Sequence, residues 1–234
     1  MSTAIVPSVR PADSAGEATG LSRSNDMAHN TGQHALRRLP VQERSAARVG
    51  RMLDAAADLI EEVGYDRLST TAIAQKADVA IGSVYQFFGD KRSLAEALSQ
   101  RYIKQYFERL EVRLNTDNPD NWRSGVAAAF KEYTYMYRTA PGFRVLHLAD
   151  AIDPGKGSTI ATGADVIAGH IATMLEDHYS VRITPNLRET IGVAVETGQA
   201  LVRLAFRRDK TGDDAALAEA ERVVCDYLER RLND

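Results

Sequence analysis

An all-α architecture follows from three features of this 234-residue sequence. Apolar residues return at three- and four-residue steps through most of the chain beyond about residue 40, which puts them on one face of successive helices. No segment sustains two-residue alternation between hairpin turns, so no strand is expected. Helix punctuation also recurs, with hydroxyl, Asp or Pro starts and Gly or Pro stops around the periodic runs.

Composition limits the function classes. Hydrophobic residues make up 44% of the chain and only 7 residues are proline, enough apolar material for one large or two smaller cores. The formal net charge of −3 excludes an all-over basic coat but leaves room for a local basic face. Cys225 is the single cysteine, so neither an intrachain disulfide nor a thiolate metal cluster is expected. With no signal-peptide pattern and no apolar run near the ~20 residues that span a bilayer, a cytoplasmic protein without membrane contact is expected.

The chain divides by pattern. Residues 1–36 are rich in Ser, Thr, Ala, Gly, Pro and Asn and hold too few large apolar groups to offset ordering entropy, which reads as a disordered tail. Arg37 and Arg38 follow it. A first helical unit spans 37–89 and a larger helical unit spans 90–234. From Val41, Val49, Met52, Leu53, Ala56, Leu59, Ile60 and Val63 form one stripe that Gly64 terminates. Arg44, Arg48 and Arg51 make the start of this helix positive, and Asp54, Asp58, Glu61 and Glu62 make its end negative. That polarity suits a helix whose beginning approaches phosphate.

Ser69 or Thr70 caps a short helix from Thr71 to Ala77, Asp78-Val79 turns the chain, and a second short helix runs from about Ile81 to Phe88 with Val84 and Phe88 inward. Asp90 then caps a long helix reaching about Leu114. A loop with Pro119 precedes a helix with Trp122, Val126, Phe130, Tyr133 and Tyr137, which Ala140-Pro141-Gly142 closes. A short apolar piece, Phe143 to Ala149, and a loop at Asp153–Gly157 lead to a helix with Ile160, Ala164, Ile167, Ile171, Met174 and Leu175. Thr184-Pro185 opens a long helix, and Gly212 separates it from the last one. About nine helices are expected.

Two short helices joined by a tight turn make a helix-turn-helix unit, whose second helix enters the major groove. By spacing alone this is a weak signal; the residues strengthen it. Thr70-Thr71, Ile73-Ala74, Ala77, Val79, Gly82-Ser83-Val84-Tyr85, Phe88, Lys91 and Leu94, in this order, resemble the tetracycline-repressor (TetR) family of transcriptional regulators. The resemblance covers roughly residues 41–98; beyond it only the helical layout and length agree. It implies an N-terminal three-helix DNA-binding domain joined by a long helix to a C-terminal ligand-binding and dimerisation domain. Asp78 stands where the family turn usually has Gly, and Ala80 where the recognition helix usually starts on Ser.

The chemistry of the residues agrees with that reading. Thr70 and Thr71 at a helix start suit phosphate. Ala80 and Ile81 open the recognition helix, Gly82 permits close backbone approach, and Ser83 and Gln86 project where base edges lie. Tyr85 and Lys91 suit phosphates, and Phe87 reads equally as groove contact or packing. A hydroxyl cap worth ~1 kcal/mol is missing at Ala80, with Asp78 the alternative cap. Taken singly, most of these residues read as ordinary surface or core groups; the ordered set carries the DNA-binding expectation.

No enzyme, cofactor or metal site is expected. His29, His34, His147, His170 and His178 show no metal-ligand spacing. Gly155-Lys156-Gly157-Ser158 lacks both the spacing and the preceding strand of a phosphate loop. In the second half, Phe130, Tyr133 and Tyr137 share a helical face, and Arg144, His147 and Asp150 recur in the next segment. Together they suit an apolar small-molecule site with a few polar groups, or an aromatic core beside a surface ion pair. Val195, Gly198, Leu201, Val202, Val224 and Tyr227 suit either a dimer interface or packing within one chain. The expected function is a homodimeric repressor that binds a palindromic double-stranded DNA operator and is released by a small-molecule effector. An activator of the same family and an all-helical protein–protein adaptor are the alternatives.

Overall fold

A computed structural model describes residues 41–148 and 163–232 of the chain. Within them the helices are α1 Val41–Val63, α2 Thr70–Lys76, α3 Ile81–Phe87, α4 Lys91–Asp117, α5 Trp122–Thr139, α6 Phe143–Leu148, α7 Gly163–Tyr179, α8 Pro185–Arg208 and α9 Asp214–Leu232, with no strand among the described residues. The tail at 1–36, Arg37, Arg38, Asp150 and the Asp153–Gly157 loop lie outside them.

Local chemistry sets the boundaries. The Gly64 N–H reaches the Ile60 carbonyl at 3.0 Å with φ at +80°, ending α1. Ser69, not Thr70, caps α2, its hydroxyl accepting from the Ala72 N–H at 3.1 Å. Asp90 caps α4 in a reciprocal box with Ser93: the Ser93 N–H donates to the Asp90 carboxylate at 2.7 Å, and the Asp90 N–H to the Ser93 hydroxyl at 3.1 Å. The Ser93 N–H and hydroxyl, both donating to the carboxylate, hold the Asp90 carboxyl below its usual pKa. Helix α4 runs one turn past Leu114, to Asp117, and closes on Asn118 in the left-handed conformation. Thr184 caps α8 with Pro185 in its first turn, as the Thr-Pro pair leads one to expect.

One hydrophobic cluster runs from Met52 on α1 to Leu228 on α9. Helix α4 threads it: its first turns bury Leu94, Ala95 and Leu98, and its later turns bury Tyr102, Tyr106, Leu110 and Leu114. At 27 residues it spans roughly 40 Å. Helices α8 and α9 pack so closely that a methyl on Gly198 would stand 3.3 Å from Val224 Cγ2.

The acidic end of α1 acts differently from the polarity expected of it, because each acid holds another helix. Asp54 pairs with Arg101 of α4 at 2.6 Å. Asp58 and Glu62 pair with Lys76 of α2 at 3.4 and 2.7 Å. Glu61 accepts from Arg144 of α6 at 2.9 Å and from the Gly142 N–H at 3.0 Å. Gly142 is buried, has φ +71°, and lies so near α1 that a Cβ would stand 2.7 Å from the Ala57 carbonyl oxygen. Tyr102 donates its hydroxyl to the Pro141 carbonyl, and burial pushes its pKa up to about 12. The α5–α6 turn is thus clamped from α1 and α4 together.

Gly142→Ala combines left-handed strain with that contact, and should lower unfolding free energy by about 2 kcal/mol or more, read by urea denaturation. Tyr102→Phe should cost about 1 kcal/mol, because the Pro141 carbonyl loses its donor.

Candidate nucleic-acid interface and sensor cavity

The turn between α2 and α3 is built by the end of α2. Its C-cap is Ala77, followed by Asp78 at φ +52°. The Val79 N–H bonds to the Ala74 carbonyl at 3.0 Å and the Asp78 N–H to the Gln75 carbonyl at 3.3 Å. These two bonds make a complete Schellman motif with Asp in the position usually given to Gly. Asp78 therefore serves as the backbone pivot of the turn. It does not cap α3, whose N-cap is Ala80 with no side-chain bond.

Helix α3 presents two faces. Val84 and Phe88 are buried, α2 being packed on α3, and Phe87 is half-buried and packed on the same core. Ala80, Ile81, Gly82, Tyr85 and Gln86 are exposed, and Ser83 is partly so. Tyr85 is 56% exposed, a high value for a tyrosine that no packing explains. Its hydroxyl lies 3.1 Å from Thr70 Oγ1 at the start of α2, joining two candidate phosphate contacts; Thr71 beside it is exposed. A Cβ at Gly82 would meet nothing within 4 Å. The fold itself does not require glycine there.

Lys91 has an intramolecular role the sequence did not reveal. Its ammonium donates to the Asp66 carbonyl at 3.1 Å and sits 5.0 Å from the Tyr65 ring centroid. Arg51 likewise donates to the Ala77 carbonyl at 3.4 Å, tying α1 to the turn, while Arg44 and Arg48 are exposed.

The second site is a cavity of about 70 Å³ lined by α4, α5, α7, α8 and α9. Its walls are Tyr106, Val126, Ala129, Phe130, Tyr133, Ile167, Ile171, Ile191, Ala194, Val195, Gly198, Gln199, Val224 and Leu228. None of these carries a charge. Tyr106 donates to the Ala129 carbonyl at 3.2 Å, and burial raises the pKa of its phenol. Burial, reinforced by neighbouring Tyr137, does the same for Tyr133.

The structure sorts the candidate effector residues. Phe130 and Tyr133 line the cavity; Tyr137 packs instead among Tyr133, Phe143 and Phe206. Arg144 is drawn to Glu61 and to the Lys210 carbonyl, at 2.9 Å each, away from the cavity walls. The His147 side chain and Asp150 lie outside the described residues.

Of the candidate interface residues, Gly198, Val202 and Val224 are buried within the chain by α8–α9 packing, and Val195 faces the cavity, so these four do not form an outer face. Leu201 and Tyr227 stay partly exposed, as do Leu204 and Val223. Gln199 was missed from the sequence, although a lone amide inside the apolar stripe 191–194–195–198–202 is a readable signal. Glu132 was missed too; it is 2% exposed and bound by Arg109 at 2.8 Å and by Arg113. Among the described residues, no group of three or more His, Cys, Asp or Glu converges as a metal site, and no helix is long and apolar enough to cross a membrane.

Comparison with known proteins agrees with this layout. Residues 52–98 match the family described as "Bacterial regulatory proteins, tetR family", and residues 120–232 match "Tetracyclin repressor-like, C-terminal domain". The crystal structure of a TetR-family transcriptional regulator from Streptomyces coelicolor is 43% identical, with a TM-score of 0.68, over 78% of this chain and 98% of that one. The chain belongs to the TetR family of transcriptional regulators. The class A tetracycline repressor of transposon 1721 from Escherichia coli is 27% identical over 77% of this chain and 89% of its own length. The transcriptional activator FasR of Mycolicibacterium smegmatis is 30% identical over 49% of this chain and 50% of its own. As a TetR-family regulator the protein is a DNA-binding transcription factor and not an enzyme, with α2 and α3 its helix-turn-helix.

Gly82→Ala separates a folding role from a DNA role. Because the site is open, the variant should be as stable as the parent or up to about 1 kcal/mol more so. Operator affinity should nevertheless fall, as measured by fluorescence anisotropy. Unchanged affinity would remove Gly82 from the interface.

Proposed function

We propose that this TetR-family protein is a homodimeric repressor, acting in the cytoplasm, that leaves a palindromic operator when a small-molecule effector enters the cavity. One observation carries the reading. A single helix, α4, packs its first turns into the DNA-reading unit and lines the cavity with Tyr106. A cavity of 70 Å³ is about half the ~150 Å³ that accepts benzene. A ring-sized effector therefore has to push the walls apart. Close-packed walls respond by shifting as units, so occupancy favours a second arrangement of α4 and the α6 turn. The effector acts only through its different affinity for the two arrangements.

On the DNA, Ile81, Gly82, Ser83 and Gln86 face base edges. Gln86 suits bidentate pairing with adenine, and Ile81 a thymine methyl. Thr70, Thr71, Tyr85 and Lys91 hold phosphates. Two such units read half-sites about 34–36 Å apart, or multiples of that. The outer face left by α8 and α9, with Leu201, Leu204, Val223 and Tyr227, supplies the dimer contact. The class A tetracycline repressor supports repression; FasR, an activator by name, supports the second reading, activation from the same DNA contact.

Gel-shift titration against DNA upstream of the protein's own gene tests the reading, with affinity expected to fall steeply as salt rises. Absent or salt-insensitive binding would favour a protein–protein adaptor. Expression from that promoter should rise on deletion of the gene for a repressor and fall for an activator. Leu201→Glu combined with Leu204→Glu should yield monomers by sedimentation and weaken operator binding ~100-fold.

A further inference from the structure

The walls of the cavity also define what kind of molecule enters it, an inference that rests on the effector reading above. Gln199 is the one side-chain amide among them, 8% exposed, and its Nε2 has no hydrogen-bond partner. A buried amide donor left unpaired is destabilising, and an acceptor that enters beside it would satisfy it. The Tyr106 hydroxyl, by contrast, is already engaged by the Ala129 carbonyl. Among the described residues, no lysine, arginine, histidine, aspartate or glutamate lines the cavity, so an ion entering there would lose its hydration without a counter-charge from them.

We infer that the effector is an uncharged, largely apolar, ring-sized molecule whose oxygen accepts a hydrogen bond from Gln199. A carboxylate finds no counter-charge among the described walls, and should bind more weakly than a neutral molecule of the same shape. The oxygen fixes orientation, and the apolar body contacts Phe130, Tyr133, Ile167 and Ile171 on α5 and α7.

Three probes of similar shape test this on the full-length protein at pH 7: ethylbenzene, which has no acceptor; acetophenone, neutral with a carbonyl; and benzoate, an anion. Acetophenone should raise the melting temperature most and, by calorimetry, bind about 3–10-fold more tightly than ethylbenzene, the worth of one neutral hydrogen bond. Gln199→Leu should abolish that preference while leaving ethylbenzene binding intact. Without any probe, the same variant should melt several degrees higher, since it removes an unpaired buried amide. Benzoate binding as tightly as acetophenone, a preference that survives Gln199→Leu, or a lower melting temperature for the unliganded variant would each overturn the inference and leave the effector cavity standing. If none of the three probes binds, the effector cavity fails along with it.

Discussion

The rest of the structure depends on the grip that α1 keeps on its neighbours. Its apolar stripe, with Met52, Leu53, Ala56 and Ile60, packs into the core, and its acids reach outward to α2, α4 and the α5–α6 turn. Individually such exposed pairs add little stability. Their effect is geometric: Lys76, Arg101, Gly142 and Arg144 are drawn to one helix, so α2 and the α6 turn take their positions from the same rod. Gly142 is the closest approach in this arrangement, where the absence of a side chain lets backbone meet backbone.

The reading surface follows from that grip. Because Val84 and Phe88 are buried completely or nearly so, the other side of α3 is forced outward, carrying Tyr85 into solvent despite its ring. The turn that sets the angle of α3 is held by two backbone bonds and by the left-handed Asp78. Aspartate tolerates this conformation better than most residues, at some cost relative to glycine. Lys91 and Arg51, clasping the Asp66 and Ala77 carbonyls, brace the same unit from two sides. What meets DNA is thus a braced block rather than a pair of free helices.

Much of this was legible in the sequence where one residue type answers to one local constraint. The stops at Gly64 and at Ala140-Pro141-Gly142, the helix starts at Asp90 and Thr184-Pro185, and the inward pair Val84 and Phe88 are set by neighbours within a turn or two. The ordered set from Thr70 to Lys91 marked the helix-turn-helix for the same reason. Long-range pairing was not legible. Nothing in the local pattern tells Glu61 that Arg144 is its partner, and the charge run on α1 reads as solvated until α2, α4 and α6 are placed around it. In the sensing half, a stripe such as Val195, Gly198, Val202 and Val224 has the same periodicity whether it faces a sister helix, a cavity or a second subunit. Only the packed structure assigns Val195, Gly198 and Val224 to the cavity walls and Val202 to the chain's interior.

The α1–α6 clasp should hold the DNA-reading unit at a fixed position relative to the sensing half. Electron-spin distance measurement between labels on the two recognition helices of the proposed dimer tests this. The labels would sit at Gln86→Cys, with buried Cys225 changed to Ser. A single narrow distance distribution is predicted for this background, broadening when Arg144→Ala removes one arm of the clasp to Glu61. A distribution equally narrow and unmoved in Arg144→Ala would contradict the account.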